Sequence, residues 1–185
     1  MCSNDGNKPA LSGVKKQAFI LCIGLFLIAF SVFARGIYLT DEDFLAETFN
    51  GNVPKSKVVW LKGELKQGIT DLLGHPYSGL RIRYWPQQTK TAWILEEIGK
   101  TEPITFGVVI NGGKVASIRV LEFRESRGSE IRYPAFTKQF KGTSLNEQQL
   151  DQTIDGVSGA TLSVRASIAV ARLALYLHAK VAPLD

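Results

Sequence analysis

The stretch ITFGVVINGGKVASIRVLEF, residues 104–123, holds two apolar, β-branched runs on either side of Asn111-Gly112-Gly113. Glycine adopts positive φ without steric cost, so this is a strong hairpin signal, with strands predicted over 104–110 and 114–123. Upstream, residues 91–98 and 80–85 read as two further strands. In the second, Leu80, Ile82 and Tyr84 fall on one face and Arg81 and Arg83 on the other. Residues 58–61 are short and apolar enough for another strand. Between them, Leu65, Ile69, Leu72 and Leu73 recur at helical spacing until Gly74-His75-Pro76 stops the helix. Thr40 and Asp41 can cap a short helix through Phe44, Leu45 and Phe49, ended by Asn50-Gly51.

Downstream of the hairpin, Phe136 and Phe140 mark a short helix ending at Gly142, and residues 145–150 read as another helical turn. The last element is a helix over 161–181, with Leu162, Ala166, Ala169, Val170, Leu173, Leu177 and Val181 on one face. The fold class is therefore α+β, an antiparallel sheet meander with packed helices, preceded by one N-terminal transmembrane helix.

That membrane segment is the run AFILCIGLFLIAFSVFA, residues 18–34, with Lys15 and Lys16 before it and Arg35 after it. It is long enough, at the short limit, to cross a bilayer as a helix. The lysines before it, with Asp41, Glu42 and Asp43 after it, place residues 1–17 in the cytoplasm and a domain over 40–185 outside. A signal peptide cleaved after Ala34 is the other parse, and both parses export the domain.

The chain has 185 residues, 45% hydrophobic and 21% charged, which suits one globular domain beyond the apolar segment. Of the net charge of +5, Lys8, Lys15 and Lys16 against Asp5 supply +2. No basic run interleaved with aromatics follows, so a nucleic-acid partner is not expected. Cys2 and Cys22 both precede residue 35, and His75 and His178 are the only histidines. No metal site is expected from that donor set, and redox chemistry would need an organic cofactor.

One segment carries chemistry. Asp155-Gly156-Val157-Ser158-Gly159-Ala160-Thr161-Leu162-Ser163 is a glycine-bearing loop running into a helix N-terminus. Unpaired N–H groups and the positive end of the helix dipole favour a phosphate there. Gly159 and Ala160 let a ligand approach the backbone, and Thr161 offers a hydroxyl. The same residues also serve a plainer purpose, with Ser158 or Thr161 capping the helix.

Asp155, Ser158, Gly159, Ala160 and Thr161 match Asp-x-x-(Ser/Thr)-Gly-Ala-(Thr/Ser), and on them the chain resembles the FMN-binding domain family. Such domains occur in the G subunit of the Rnf complex and the C subunit of the Na+-translocating NADH:quinone reductase. The resemblance implies FMN esterified through its phosphate to Thr161, with Leu162 beside it, by a flavin transferase using FAD and a divalent cation. A weaker likeness lies in the turn Glu125-Ser126-Arg127-Gly128, which stands where the family has a Glu-Thr-Pro-Gly turn near the flavin. Arg127 replaces the proline, so these four residues read equally as a solvated turn. The similarity covers about residues 102–181.

The implied function is electron relay between membrane or periplasmic redox partners, on the periplasmic side of a bacterial cytoplasmic membrane. No dinucleotide fingerprint and no nucleophile–base pair accompany it, so a stand-alone enzyme is not indicated. The alternatives are a noncovalent flavin- or ligand-binding module, and a non-redox assembly or sensor protein on the same fold. Trp60, Trp85 and Trp93 are candidates for ring stacking, though packing is their commoner use. Arg81 and Arg83 read as a solvated face, and His178 as a favourable partner of the last helix's dipole.

Overall fold

The computed structural model describes residues 36–181. The apolar segment at 18–34 lies outside the described residues. Six strands form an antiparallel sheet: β1 (Gly36–Ile37), β2 (Lys57–Trp60), β3 (Arg81–Gln87), β4 (Lys90–Ile98), β5 (Pro103–Asn111) and β6 (Lys114–Phe123), in the order β1-β6-β5-β4-β3-β2. The described helices are α1 (Asp41–Thr48), α2 (Gly63–Leu73), α3 (Pro134–Thr137) and α4 (Thr161–Val181). The α+β class is as the sequence patterning predicts.

The β5–β6 hairpin closes through Gly112 and Gly113, at φ +56° and +74°, while Asn111 is the last strand residue and pairs with Lys114. Two positive φ values in a two-residue loop match the right-handed twist of the strands. Alternation then sorts the side chains. Ile82, Tyr84, Trp93, Leu95, Phe106, Val108 and Ile110 face α2 and α4. Ala92, Val109 and Leu121 face α1, where Phe44, Leu45 and Phe49 cover them. Thr40 caps α1, its hydroxyl oxygen accepting from the Asp43 N–H at 3.1 Å.

Helix α4 lies over β4 and β5 and buries Val170, Leu173, Ala174 and Leu177 completely. It is long and apolar enough to cross a membrane, but more than half of its residues are buried, packed against the sheet and α2. Its buried face is wider than one stripe, taking in Val164, Ala171, Leu175 and His178. Leu162, expected on that face, is exposed because the first turn of α4 reaches past the sheet to a cleft.

Two further local expectations are corrected. Residues 145–150 form a hairpin, β7 (Leu145–Asn146) against β8 (Gln149–Leu150), and not a helical turn. Asp151 is the reason: its carboxylate accepts from the Ser144 N–H at 3.0 Å and the Ser144 hydroxyl at 2.6 Å, which closes the base of the hairpin. Leu145 and Leu150 thereby pair across the strands and pack together against the core. Leu80 is the second. It precedes β3, is 71% exposed, and shares no buried face with Ile82 and Tyr84.

Phe44 reaches the sheet only because Gly107 has no side chain. A Cβ at Gly107 would stand 2.6 Å from the Phe44 ring. Gly107→Ala should therefore lift α1 and cost about 1–3 kcal/mol, read as a lower denaturation midpoint at unchanged m-value.

Candidate functional site

The loop before α4 is tied down by its neighbours and leaves the helix start bare. The Asp155 N–H donates to Gln139 Oε1 at 2.7 Å, and the Ala160 N–H donates to the Val157 carbonyl at 3.0 Å. Gly159 turns the chain at φ +78°, with open space where its Cβ would be. The Ala160 carbonyl accepts the first helical bond, from Val164 at 2.9 Å, so Ala160 occupies the N-cap. A methyl group cannot cap. Neither Ser158 nor Thr161 hydrogen-bonds to the helix start among the described residues, which corrects the capping alternative. The N–H groups of Thr161, Leu162 and Ser163 are left at the positive end of a 21-residue helix. Beside them the Thr161 side chain is exposed.

The opposite wall is the turn after β6. Gly128, at φ +93°, lets this turn touch the first turn of α4: a Cβ there would stand 2.5 Å from Ser163 Oγ and 3.4 Å from the Ala160 methyl. Glu125 is buried, not solvated. Its Oε1 accepts the backbone N–H groups of Lys100 and Thr101, each at 2.5 Å, and of Glu102 at 2.9 Å. Oε2 accepts the Thr101 hydroxyl at 3.2 Å. Burial alone would raise its pKa; the N–H groups of Glu102, Thr101 and Lys100 and the Thr101 hydroxyl outweigh that and hold it below the ordinary carboxylate value.

These walls enclose a cleft of about 630 Å³, within the usual range of small-molecule sites. Among the residues singled out from the sequence, Glu125, Ser126, Arg127, Gly159, Ala160, Thr161 and Leu162 line it. Segments more than 30 positions apart are thus brought to one place. Gly128, Asp155 and Ser158 do not line it; Gly128 shapes the wall and Asp155 anchors the loop through its backbone. Two lining residues have no role assigned from the sequence, Ser163 at the end of the segment quoted above and Lys100 outside it. Neither Lys100 nor Arg127 has an ion-pair partner among the described residues. Two cations without an ion pair among the described residues, a bare helix start and a carboxylate satisfied by N–H groups give this cleft the chemistry to attract an anion.

The other candidates lie elsewhere. Trp93 is fully buried and stacks on Tyr84 with ring centroids 4.9 Å apart. Trp60 is 54% exposed on the edge strand β2, with Lys62 and Arg81 over its ring. Trp85 packs beside the α1 cluster. None of the three lines the cleft. Arg81 and Arg83 are exposed, as expected of a solvated face. His178 is buried, with Nδ1 2.7 Å from the Thr91 hydroxyl, and burial pushes its pKa down. Neutral imidazole is favoured there, so the anticipated pairing of a charged His178 with the helix dipole is set aside.

Residues 99–176 match the model of the family described as the FMN-binding domain. The match takes in the Glu125 turn, the Thr161 loop and, three residues before the resemblance read from sequence, Gly99 and Lys100. The recognition made on residues 155–161 holds for that part of the chain. Among solved structures, the C subunit of the Na(+)-translocating NADH-quinone reductase from Parabacteroides distasonis is similar at 16% identity and a TM-score of 0.46, over 92% of this chain and 98% of that one. No curated protein matches the chain.

Gly128→Ala should separate the two walls, at a cost of about 1–3 kcal/mol in stability measured by denaturant titration. Glu125 makes stability depend on pH. Because its folded pKa lies below the ordinary 4.5, its contribution is full above that value and is lost as pH falls through the lowered one. The stability difference between wild type and Glu125→Gln should therefore be constant near neutrality and shrink below about pH 4.5.

Proposed function

We propose that this chain is a membrane-tethered flavoprotein, holding FMN as a phosphoester on Thr161 and relaying electrons between partner proteins on the extracytoplasmic side. The observation that carries this reading is the exposed Thr161 side chain at the uncapped, positive start of α4. The cleft suits the group. Its volume accepts a ligand of that size, Gly159 leaves the approach open, and among the described residues no side chain competes for the first-turn N–H groups.

In this reading the N–H groups of Thr161, Leu162 and Ser163 and the Arg127 guanidinium would hold the phosphate. The Thr161 hydroxyl is the acceptor when a transferase delivers the FMN half of FAD; the pyrophosphate bond breaks and AMP leaves. Bound FMN supplies one- and two-electron chemistry, while the protein fixes its place and tunes its charge environment. Asp155 contributes by pinning the loop to Gln139, and Gly128 by holding the Glu125 turn against α4. The apolar run at 18–34, with basic residues before it and acidic residues after, supports the tether and the side.

The test is fluorescence of denatured, gel-resolved protein made with the transferase. Wild type and Thr161→Ser should fluoresce and Thr161→Ala should be dark. A fluorescent Thr161→Ala places the linkage elsewhere. Wild type that sheds its flavin on denaturation is the noncovalent module, and wild type that never acquires flavin is the assembly or sensor protein.

A further inference from the structure

The wall of an anion-binding cleft is an unfavourable place for a buried carboxylate, and the way Glu125 is satisfied explains its presence. It draws its compensation from three consecutive N–H groups, at Lys100, Thr101 and Glu102, and one hydroxyl, not from a side-chain cation. The segment is closed on itself by the Gly99 N–H donating to the Glu102 carbonyl at 3.0 Å. Gly99 is what allows the carboxylate so near: a Cβ there would meet Glu125 Oε1 and Ile104 Cδ1, both at 3.0 Å. The device folds a tight turn, and Lys100 stands on that turn with no ion pair on its ammonium among the described residues, lining the same cleft as Thr161.

Charge balance leaves Lys100 available for a second anionic group beyond the phosphate. A phosphate esterified on both sides carries one negative charge, which Arg127 and the start of α4 suffice to meet. We propose that Glu125 is a positioning residue that folds the 99–102 turn, and that Lys100, so placed, stabilises negative charge on the reduced flavin ring. The proposal rests on the cofactor assignment above. A redox partner protein, or dithionite in a titration, supplies two electrons. Uptake of one proton then leaves one negative charge on the ring, and uptake of two leaves none. A fixed cation favours the charged product over the neutral oxidised ring, and so raises the midpoint potential.

The experiment is a redox titration of flavin-loaded, full-length wild type, Lys100→Gln, and Lys57→Gln as a control at the far edge of the sheet. Lys100→Gln should shift the reduction equilibrium about tenfold toward the oxidised form, which is ~30 mV lower for a two-electron couple. Lys57→Gln should match wild type. Glu125→Asp, which keeps the carboxylate charge but withdraws it from the N–H groups of the 99–102 turn, should lower the potential in the same direction. Combined with Lys100→Gln it should add nothing further, because it acts only through the placement of the Lys100 charge. An unchanged potential in Lys100→Gln overturns the role of Lys100, and an additive double variant overturns the positioning by Glu125. If wild type carries no flavin, the cofactor assignment fails instead. The positioning is then read in the flavin-free chain by amide exchange: residues 100–102 should be slow in wild type and fast without the Glu125 carboxylate, and equal rates overturn it.

Discussion

The packing of α4 across the central strands is the contact on which the rest of the molecule depends. Its apolar residues meet those of β4 and β5, Trp93, Leu95, Phe106 and Val108 among them, in the larger of the two cores. Burying a Leu or Val side chain contributes roughly 1.5–3 kcal/mol, and α4 buries many. So strongly held a helix can leave its first turn uncapped, since cap loss costs about 1 kcal/mol. The price of the bare N-terminus is small against the packing, and its product is a fixed cluster of N–H donors beside Thr161. A local rule broken where the global fold tolerates it is a common mark of a functional site.

The opposite wall distributes its charges in the same spirit. A carboxylate, two cations and a helix dipole converge within one cleft, and each meets a different fate. Glu125 is satisfied by backbone N–H groups, while Lys100 and Arg127 line the cleft with no ion-pair partner among the described residues. The contact of Gly128 with Ser163 holds the two walls at a fixed separation. Preorganisation of this kind lets a site act on charge without rearranging.

Much of this is legible along the chain because it is local. The 3.6-residue period of α4, the alternation of β3 and the paired glycines of the β5–β6 turn are each written within a few residues. The phosphate-favouring loop is legible for the same reason, since Gly159, Ala160 and Thr161 sit directly before an apolar helix. What is not legible depends on distant partners. Lys100 carries no local signal, and its backbone is held by Glu125, 25 positions away, through bonds that composition does not reveal. The Leu145–Leu150 hairpin hides behind a helix-compatible pattern that Asp151 overrides. His178 has the position of a helix-end cation, yet burial against Thr91 favours its neutral form.

What is attached at Thr161 decides the matter most directly. Full-length protein isolated from membranes that contain the transferase, denatured and digested, should yield a peptide spanning residues 155–165 heavier by one FMN less a water, with fragmentation placing the addition on Thr161. An unmodified peptide, with all flavin lost to the supernatant on denaturation, contradicts the phosphoester.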